Sequence, residues 1–418
     1  MKLAFGLATF LFMSAGFLAS HQAGALALRS PIESKKPLLQ SIAAISLMDG
    51  YKDQNVQLSK LPKSWQWNGR NAIGAPSQSF VSPVLIGDGR VLLSILGGGL
   101  QLRDLKTGNK IWSVDIPMGV ASIPFVAEPF VYVVGMDAKA RKIRLSSGQE
   151  IWNATLSVES TGGIVVSRGV VYATTADDSL WALEDGSGKP LWRYKRPSPT
   201  NSVYWSLRGS ARPALSLDGS VIFSGFSDGA FVALDAESGR LKWERSFGNR
   251  KGRFQDADLS PVLSADGRRL IVALVDGDLL ALSPENGDSL WAVSLKCASA
   301  PVLSEDGKSL FQASTDGMIY SVAPVEGRVQ WKVKSSQKSS PASLGLLQGN
   351  RLAVTVFGEG FKVISAADGT ELWQDNSEWN SATSAVYDGN RVLFVTSRNQ
   401  LLVYRIDETT KSASPMIQ

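Results

Sequence analysis

Asp256 and Asp258 are the residues of this chain whose types and spacing first suggest chemistry. Two side chains one residue apart on an extended segment point the same way. A carboxylate pair performs glycoside hydrolysis when its members flank a substrate. Neighbours on one strand flank nothing, so acid catalysis is disfavoured here. The same pair is better suited to a cation, either the nearby Arg208 or one brought by a partner. Asp276-Gly277-Asp278 and Asp177-Asp178 hint at calcium, but recurrent Asp-Gly is also the signal of a tight hairpin. Other catalytic residue types are nearly absent. The chain has one histidine, His21, and one cysteine, Cys297. His21 falls in a segment that reads as removed from the mature chain. That excludes Ser-His-Asp catalysis, histidine-ligated metals and c-type haem attachment. A single cysteine excludes an internal disulfide, a Cys-x-x-Cys pair and a cysteine zinc site. Cys297 opens a strand and reads as a buried, inert thiol. No catalytic residue, cofactor or metal ligand is expected.

The elements that must position these side chains are repeats. Leu234-Asp235-Ala236-Glu237-Ser238-Gly239-Arg240-Leu241-Lys242-Trp243 contains a glycine followed four residues later by a tryptophan. The pair recurs at Gly108/Trp112, Gly148/Trp152, Gly188/Trp192, Gly287/Trp291, Gly327/Trp331 and Gly369/Trp373. Glycine supplies the positive-φ turn position, and the alternation after it is that of a half-buried strand. One unit runs from Ser260-Pro261 through Asp266-Gly267 and Asp276-Gly277 to Gly287 and Trp291. It predicts four short antiparallel strands with a turn between each. Units begin at Pro83, Pro124, Gly163, Pro213, Pro261, Pro301, Pro341 and Ser384, and the last stops after Leu401-Leu402-Val403-Tyr404. A spare strand with Trp65 and Trp67 precedes the first unit. The expected fold is therefore all-β: an eight-bladed β-propeller of four-stranded antiparallel blades, closed by an N-terminal strand joining the C-terminal blade. Trp67, Trp112, Trp152, Trp192, Trp243, Trp291, Trp331 and Trp373 are expected to plug the gaps between blades.

The flanks complete the domain map. Lys2, the apolar run Leu3–Ala19 and the small residues near Ala25 read as a cleaved secretory signal over 1–25, with an uncleaved anchor as the alternative. No cysteine near the cleavage site allows a lipid anchor. Residues 26–63 read as a tether, 64–407 as the propeller and 408–418 as a polar tail. The 418 residues are 44% hydrophobic and 19% charged, with net charge +5. That composition suits a large core and excludes wholesale disorder.

Function is sought where the repeat departs from itself. Trp291 to Pro301 and Trp331 to Pro341 span 10 residues each, but Trp192 to Pro213 spans 21 and Trp243 to Pro261 spans 18. Both insertions join an outermost strand to the next innermost strand, so both emerge on one face. The first holds Arg193, Lys195, Arg196, Tyr204, Trp205, Leu207, Arg208 and Arg212. The second holds Arg245, Arg250, Lys251, Arg253, Phe254, Asp256 and Asp258. Arginines with exposed aromatics are the residue types that anchor protein interfaces. A self-contained loop-to-loop ion pair is the alternative. A secreted chain makes nucleic acid an improbable partner.

The Ala-Leu-Asp, Ser/Thr-Gly and following Trp of each unit resemble the repeat of pyrroloquinoline-quinone (PQQ) enzymes and their non-enzymatic relatives. The quinoprotein dehydrogenases of that superfamily carry an adjacent cysteine pair and a calcium site, and commonly a haem domain, which this chain does not match. Trp205-Ser206-Leu207-Arg208-Gly209, with Arg253-Phe254-Gln255-Asp256-Ala257-Asp258 about fifty residues later, resembles the BamB family, propeller subunits of the outer-membrane β-barrel assembly machinery. The resemblance implies a non-catalytic periplasmic scaffold at the inner face of the outer membrane. It implies that Leu207, Arg208, Asp256 and Asp258 dock on the periplasmic domains of the central barrel protein, with Trp205 in place of a leucine. Membrane association would then be peripheral, through that partner, and unfolded outer-membrane proteins are possible clients. The alternatives are a PQQ-dependent dehydrogenase and a periplasmic propeller that binds another protein or a glycan.

Overall fold

The structure is a computed structural model. It describes residues 38–46 and 81–407, except 96–97, 106, 197–210, 248–256, 258, 336–340, 348, 357–359, 376–384, 389–390 and 396–399. The described chain is an all-β propeller of four-stranded antiparallel blades. Seven blades are each made of four consecutive strands, over residues 84–114, 125–155, 164–195, 214–246, 262–294, 302–334 and 341–375. No described helix is long and apolar enough to cross a membrane.

The sequence predicts eight blades, the eighth completed by an N-terminal strand; the structure has seven blades of four consecutive strands. Among the described residues no strand follows Val386–Asp388, Arg391–Val395 and Gln400–Asp407. The strand paired with Gln400–Asp407 is Leu38–Ser46, antiparallel, with a register shift between Ser41 and Ala43. It comes from the segment read as a tether. Trp65 and Trp67, expected to supply that strand, lie outside the described residues.

Burial follows the strand period. Second and third strands are almost wholly buried, whereas outermost strands alternate, as in Lys110–Val114, where Trp112 is buried between exposed neighbours. Apolar side chains gather between sheets rather than at one centre. One cluster joins Trp112, Val120 and Leu102 of the first blade's side to Val131 and Ile143 of the second. Equivalent clusters join each successive pair of blades. Two more join the seventh blade to the last sheet and the last sheet to the first blade, through Leu393 and Leu401 against Val91 and Leu93.

Each junction is fastened by the glycine–tryptophan repeat acting across the gap. The indole N–H of Trp112 donates to the carbonyl of Leu145 in the next blade at 2.8 Å. Trp152, Trp192, Trp243, Trp291 and Trp331 repeat the bond to Asp185, Ala236, Pro284, Pro324 and Ala366, at 2.8 to 3.2 Å. The receiving turn also carries the next glycine. A Cβ built on Gly148, Gly188, Gly239, Gly287, Gly327 or Gly369 would lie 2.6 to 3.0 Å from the preceding blade's indole. These glycines have φ of +70° to +77°. Two separate constraints thus select glycine at the same position. Trp373 is partly buried at the junction with the last sheet, 5.9 Å from the Phe361 ring.

Cys297 is fully buried between the fifth and sixth blades, and burial pushes its thiol up to about 12. Trp243→Ala removes a large buried contact and should lower unfolding free energy by about 3–5 kcal/mol. Gly287→Ala should cost about 1–3 kcal/mol by overpacking the same indole. Denaturant melts of both variants check this, and an unchanged midpoint for Trp243→Ala would count against the junction's role. In native protein at pH 8, Cys297 should resist a thiol reagent and react only on unfolding, as timed labelling across a denaturant series would reveal.

Candidate interface on the connection face

The two insertions leave from Pro190–Lys195 and Leu241–Ser246 and return to the inner strands Ala214–Leu215 and Val262–Leu263. Trp205, Leu207, Arg208, Asp256 and Asp258 lie outside the described residues, as do Tyr204, Arg250, Lys251, Arg253 and Phe254. The roots of both insertions are described, and they are held firmly.

Where the first insertion departs, Arg196 pairs with Asp228 at 2.7 Å and Glu244 at 2.9 Å, tying the third blade to the fourth. Burial works against its charge, but the bonds to Glu244, Tyr194 and Asp228 outweigh it and raise the guanidinium's pKa. Arg193 pairs with Asp177 at 2.7 Å and lies over the Trp181 ring at 4.6 Å. Burial opposes the Asp177 charge, yet bonds from Thr175, Ser179 and Ser157, together with Arg193, hold its carboxyl below the usual range.

Where the first insertion returns, the Ala211 carbonyl accepts from Thr174 Oγ1 at 2.9 Å. Arg212 then turns inward. Its backbone N–H donates to Ser260 Oγ at 3.0 Å, joining the roots of the two insertions. Its Nη2 reaches over the entrance of the third blade to the carbonyls of Ile123 at 2.8 Å and Pro124 at 3.3 Å, in the second. Gly163 makes room, since a Cβ there would stand 3.2 Å from Arg212 Nε. Among the described residues no carboxylate pairs with Arg212, and its buried Nε has no partner. Burial alone pushes this guanidinium down to about 10.

The second insertion is pinned at Ala257, the residue between the two aspartates. It is fully buried, and its N–H donates to the Phe226 carbonyl at 3.1 Å. The adjoining Gly225 can be nothing larger, because a Cβ on it would fall 1.7 Å from the Ala257 carbonyl oxygen.

These contacts correct part of the sequence reading. Arg193, Arg196, Arg212 and Arg245 are engaged within the molecule, Arg245 through Asp288 and the carbonyls of Gly287 and Asn286. Arg212 had a visible signal. The residues before the other blade-opening prolines are Ser82, Ile123, Ser260, Ala300 and Ser340, so a charged residue at 212 breaks the pattern. The acid turns also have local uses. Asp177 serves Arg193, and Asp178 accepts from the N–H and hydroxyl of Ser227.

A family model described as outer membrane protein assembly factor BamB matches residues 96–274 and 275–411, about three quarters of the chain. Curated proteins of that name are similar to it. The one from Burkholderia pseudomallei is 27% identical over 190 residues, 43% of this chain and 46% of the relative. The one from Yersinia pestis is 24% identical over 260 residues, 55% and 64% respectively. The chain thus spans roughly half to under two thirds of the length of these relatives. A 1-butanol dehydrogenase (quinone) from Thauera butanivorans is 32% identical over 107 residues, 24% of this chain and 16% of that enzyme. Among solved structures, BamB from Moraxella catarrhalis superposes with a TM-score of 0.68 at 18% identity, covering 88% of this chain and 100% of that one. A quinohemoprotein alcohol dehydrogenase from Comamonas testosteroni gives 0.58 at 15%, covering 80% and 77%. Both superpositions reflect the common propeller fold. The extent of the family-model match decides between the two branches, and the chain belongs to the family of outer membrane protein assembly factor BamB.

Proposed function

We propose that this chain is a non-catalytic scaffold of outer-membrane protein assembly, acting in the periplasm and docking on the periplasmic domains of the central barrel protein. The observation that carries this reading is the coupling of the two insertion roots through Arg212 and Ser260 on one face of the propeller. That coupling keeps the two stretches that differ most from the repeat beside one another. Arg208 makes charge-assisted bonds to the partner, oriented by Asp256 and Asp258, while Trp205 and Leu207 supply apolar area. Attachment to the membrane is peripheral, through this partner. Unfolded outer-membrane proteins are further candidates for contact.

The second reading, a quinone-dependent dehydrogenase, is favoured by the shared fold and by the partial likeness to the 1-butanol dehydrogenase (quinone), which covers 24% of this chain. Uptake of pyrroloquinoline quinone and calcium with reduction of an electron acceptor would establish it. The chain's single cysteine, buried between two blades, cannot supply the adjacent pair that those enzymes carry.

The docking reading is tested by affinity purification from native membranes with wild type and an Arg208→Glu/Asp256→Arg variant. The central barrel protein should be recovered with wild type and lost with the variant, because breaking a desolvated charged contact costs about 2–5 kcal/mol. Its absence from both, with abundant folded wild type, would refute the docking.

A further inference from the structure

Residues 115–124 connect the first blade's outermost strand to the second blade's innermost one, so they emerge on the same face as the insertions. Ile116-Pro117-Met118-Gly119 closes there as a turn, with the Gly119 N–H donating to the Ile116 carbonyl at 2.8 Å. Proline suits the second position of such a turn, and the third, with φ > 0, calls for glycine or asparagine. This chain places Met118 there, at φ 58°. A bulky side chain in that region is strained. Among the described residues the strain has no return, since Met118 is 64% exposed and belongs to none of the apolar clusters between blades.

The turn is fixed rather than loose. Ile116 and Val120 are buried on either side of it, and the Met136 N–H donates to the Gly119 carbonyl at 2.9 Å. Five residues on, Ile123 is also exposed, at 37%. Its carbonyl is the one Arg212 holds, so this connection is joined by a hydrogen bond to the root of the first insertion. The other large apolar side chains exposed among the described residues lie on outermost strands or on turns at the opposite face, such as Val325. On the connection face, Met118 and Ile123 belong to one connection, which Arg212 ties to the root of the first insertion.

We infer that the docking surface extends to this connection, and that Met118 and Ile123 fill an apolar depression on the same periplasmic domains of the central barrel protein. The inference rests on the docking reading above. Strain held without internal benefit is accounted for when the displayed side chain is used by a partner. A flexible, polarizable thioether adapts well to such a depression.

The test measures affinity of the full chain for the purified periplasmic domains, together with the melting temperature. Met118→Gly and Met118→Asn both suit the turn, so neither should melt earlier than wild type. Both should weaken binding about tenfold, the loss expected for an apolar anchor. Ile123→Ser should weaken it in the same direction, and Val325→Ser on the opposite face should stay within twofold of wild type. Arg208→Glu is measured alongside. If wild type binds and Arg208→Glu does not, yet both Met118 variants bind within twofold of wild type, the docking reading stands and this extension of it falls. If wild type itself does not bind, both fall together.

Discussion

The fold depends on one contact made repeatedly: the indole of one blade laid against the turn glycine of the next. The contact links three properties of that turn. Glycine admits the positive φ that closes the hairpin, its missing Cβ makes room for the indole, and a nearby carbonyl accepts the indole N–H. No single substitution preserves all three. A larger residue at Gly287 strains the turn and displaces Trp243, and a smaller one at Trp243 leaves the Pro284 carbonyl without its donor. Each blade is therefore completed by its neighbour, and no blade carries a finished core of its own.

That dependence explains why the longest insertions fall in the connections between blades. A lengthened turn between the third and fourth strands would pull its glycine off the neighbouring indole. A lengthened link from an outermost strand to the next inner one disturbs no such contact, because it leaves on the face opposite those turns. The two long insertions occupy links of that kind. Their ends are nonetheless fixed by Arg196, Thr174, Ser260 and Phe226, so the added length begins and ends on rigid frame.

Much of this was legible in the sequence, and the limits have physical causes. Turn glycines, strand alternation and tryptophan spacing are local signals, so the four-stranded blade could be read directly. The partner of each indole could not, because the glycine it meets lies in the following blade, and spacing within a unit says nothing about contacts between units. Insertion length located the candidate face for the same local reason. Charge was the misleading cue there. Arg193, Arg196 and Arg245 read as exposed interface residues, yet each has a carboxylate neighbour in a turn of its own or the following blade. The last sheet shows the limit most clearly. A strand with Trp65 and Trp67 was the natural candidate by pattern, whereas the strand paired with Gln400–Asp407 is Leu38–Ser46, which bears no tryptophan.

Arg212 and Lys142 show how two buried cations can serve different ends. Lys142 lies between the second and third blades with both Asp185 oxygens at 2.9 Å and the Phe130 ring 4.1 Å from its ammonium, a charge compensated on the spot. Arg212 is buried as deeply, but its described partners are the neutral carbonyls of Ile123 and Pro124. An uncompensated buried charge costs stability, and a hydrophobic residue of similar size would usually be tolerated better. What the guanidinium provides instead is reach, since one planar group spans from the returning insertion to a connection two blades earlier, while its backbone N–H engages the second insertion. Among the described residues, what Arg212 supplies is relative position, and the proposed docking face depends on its loops being held in register.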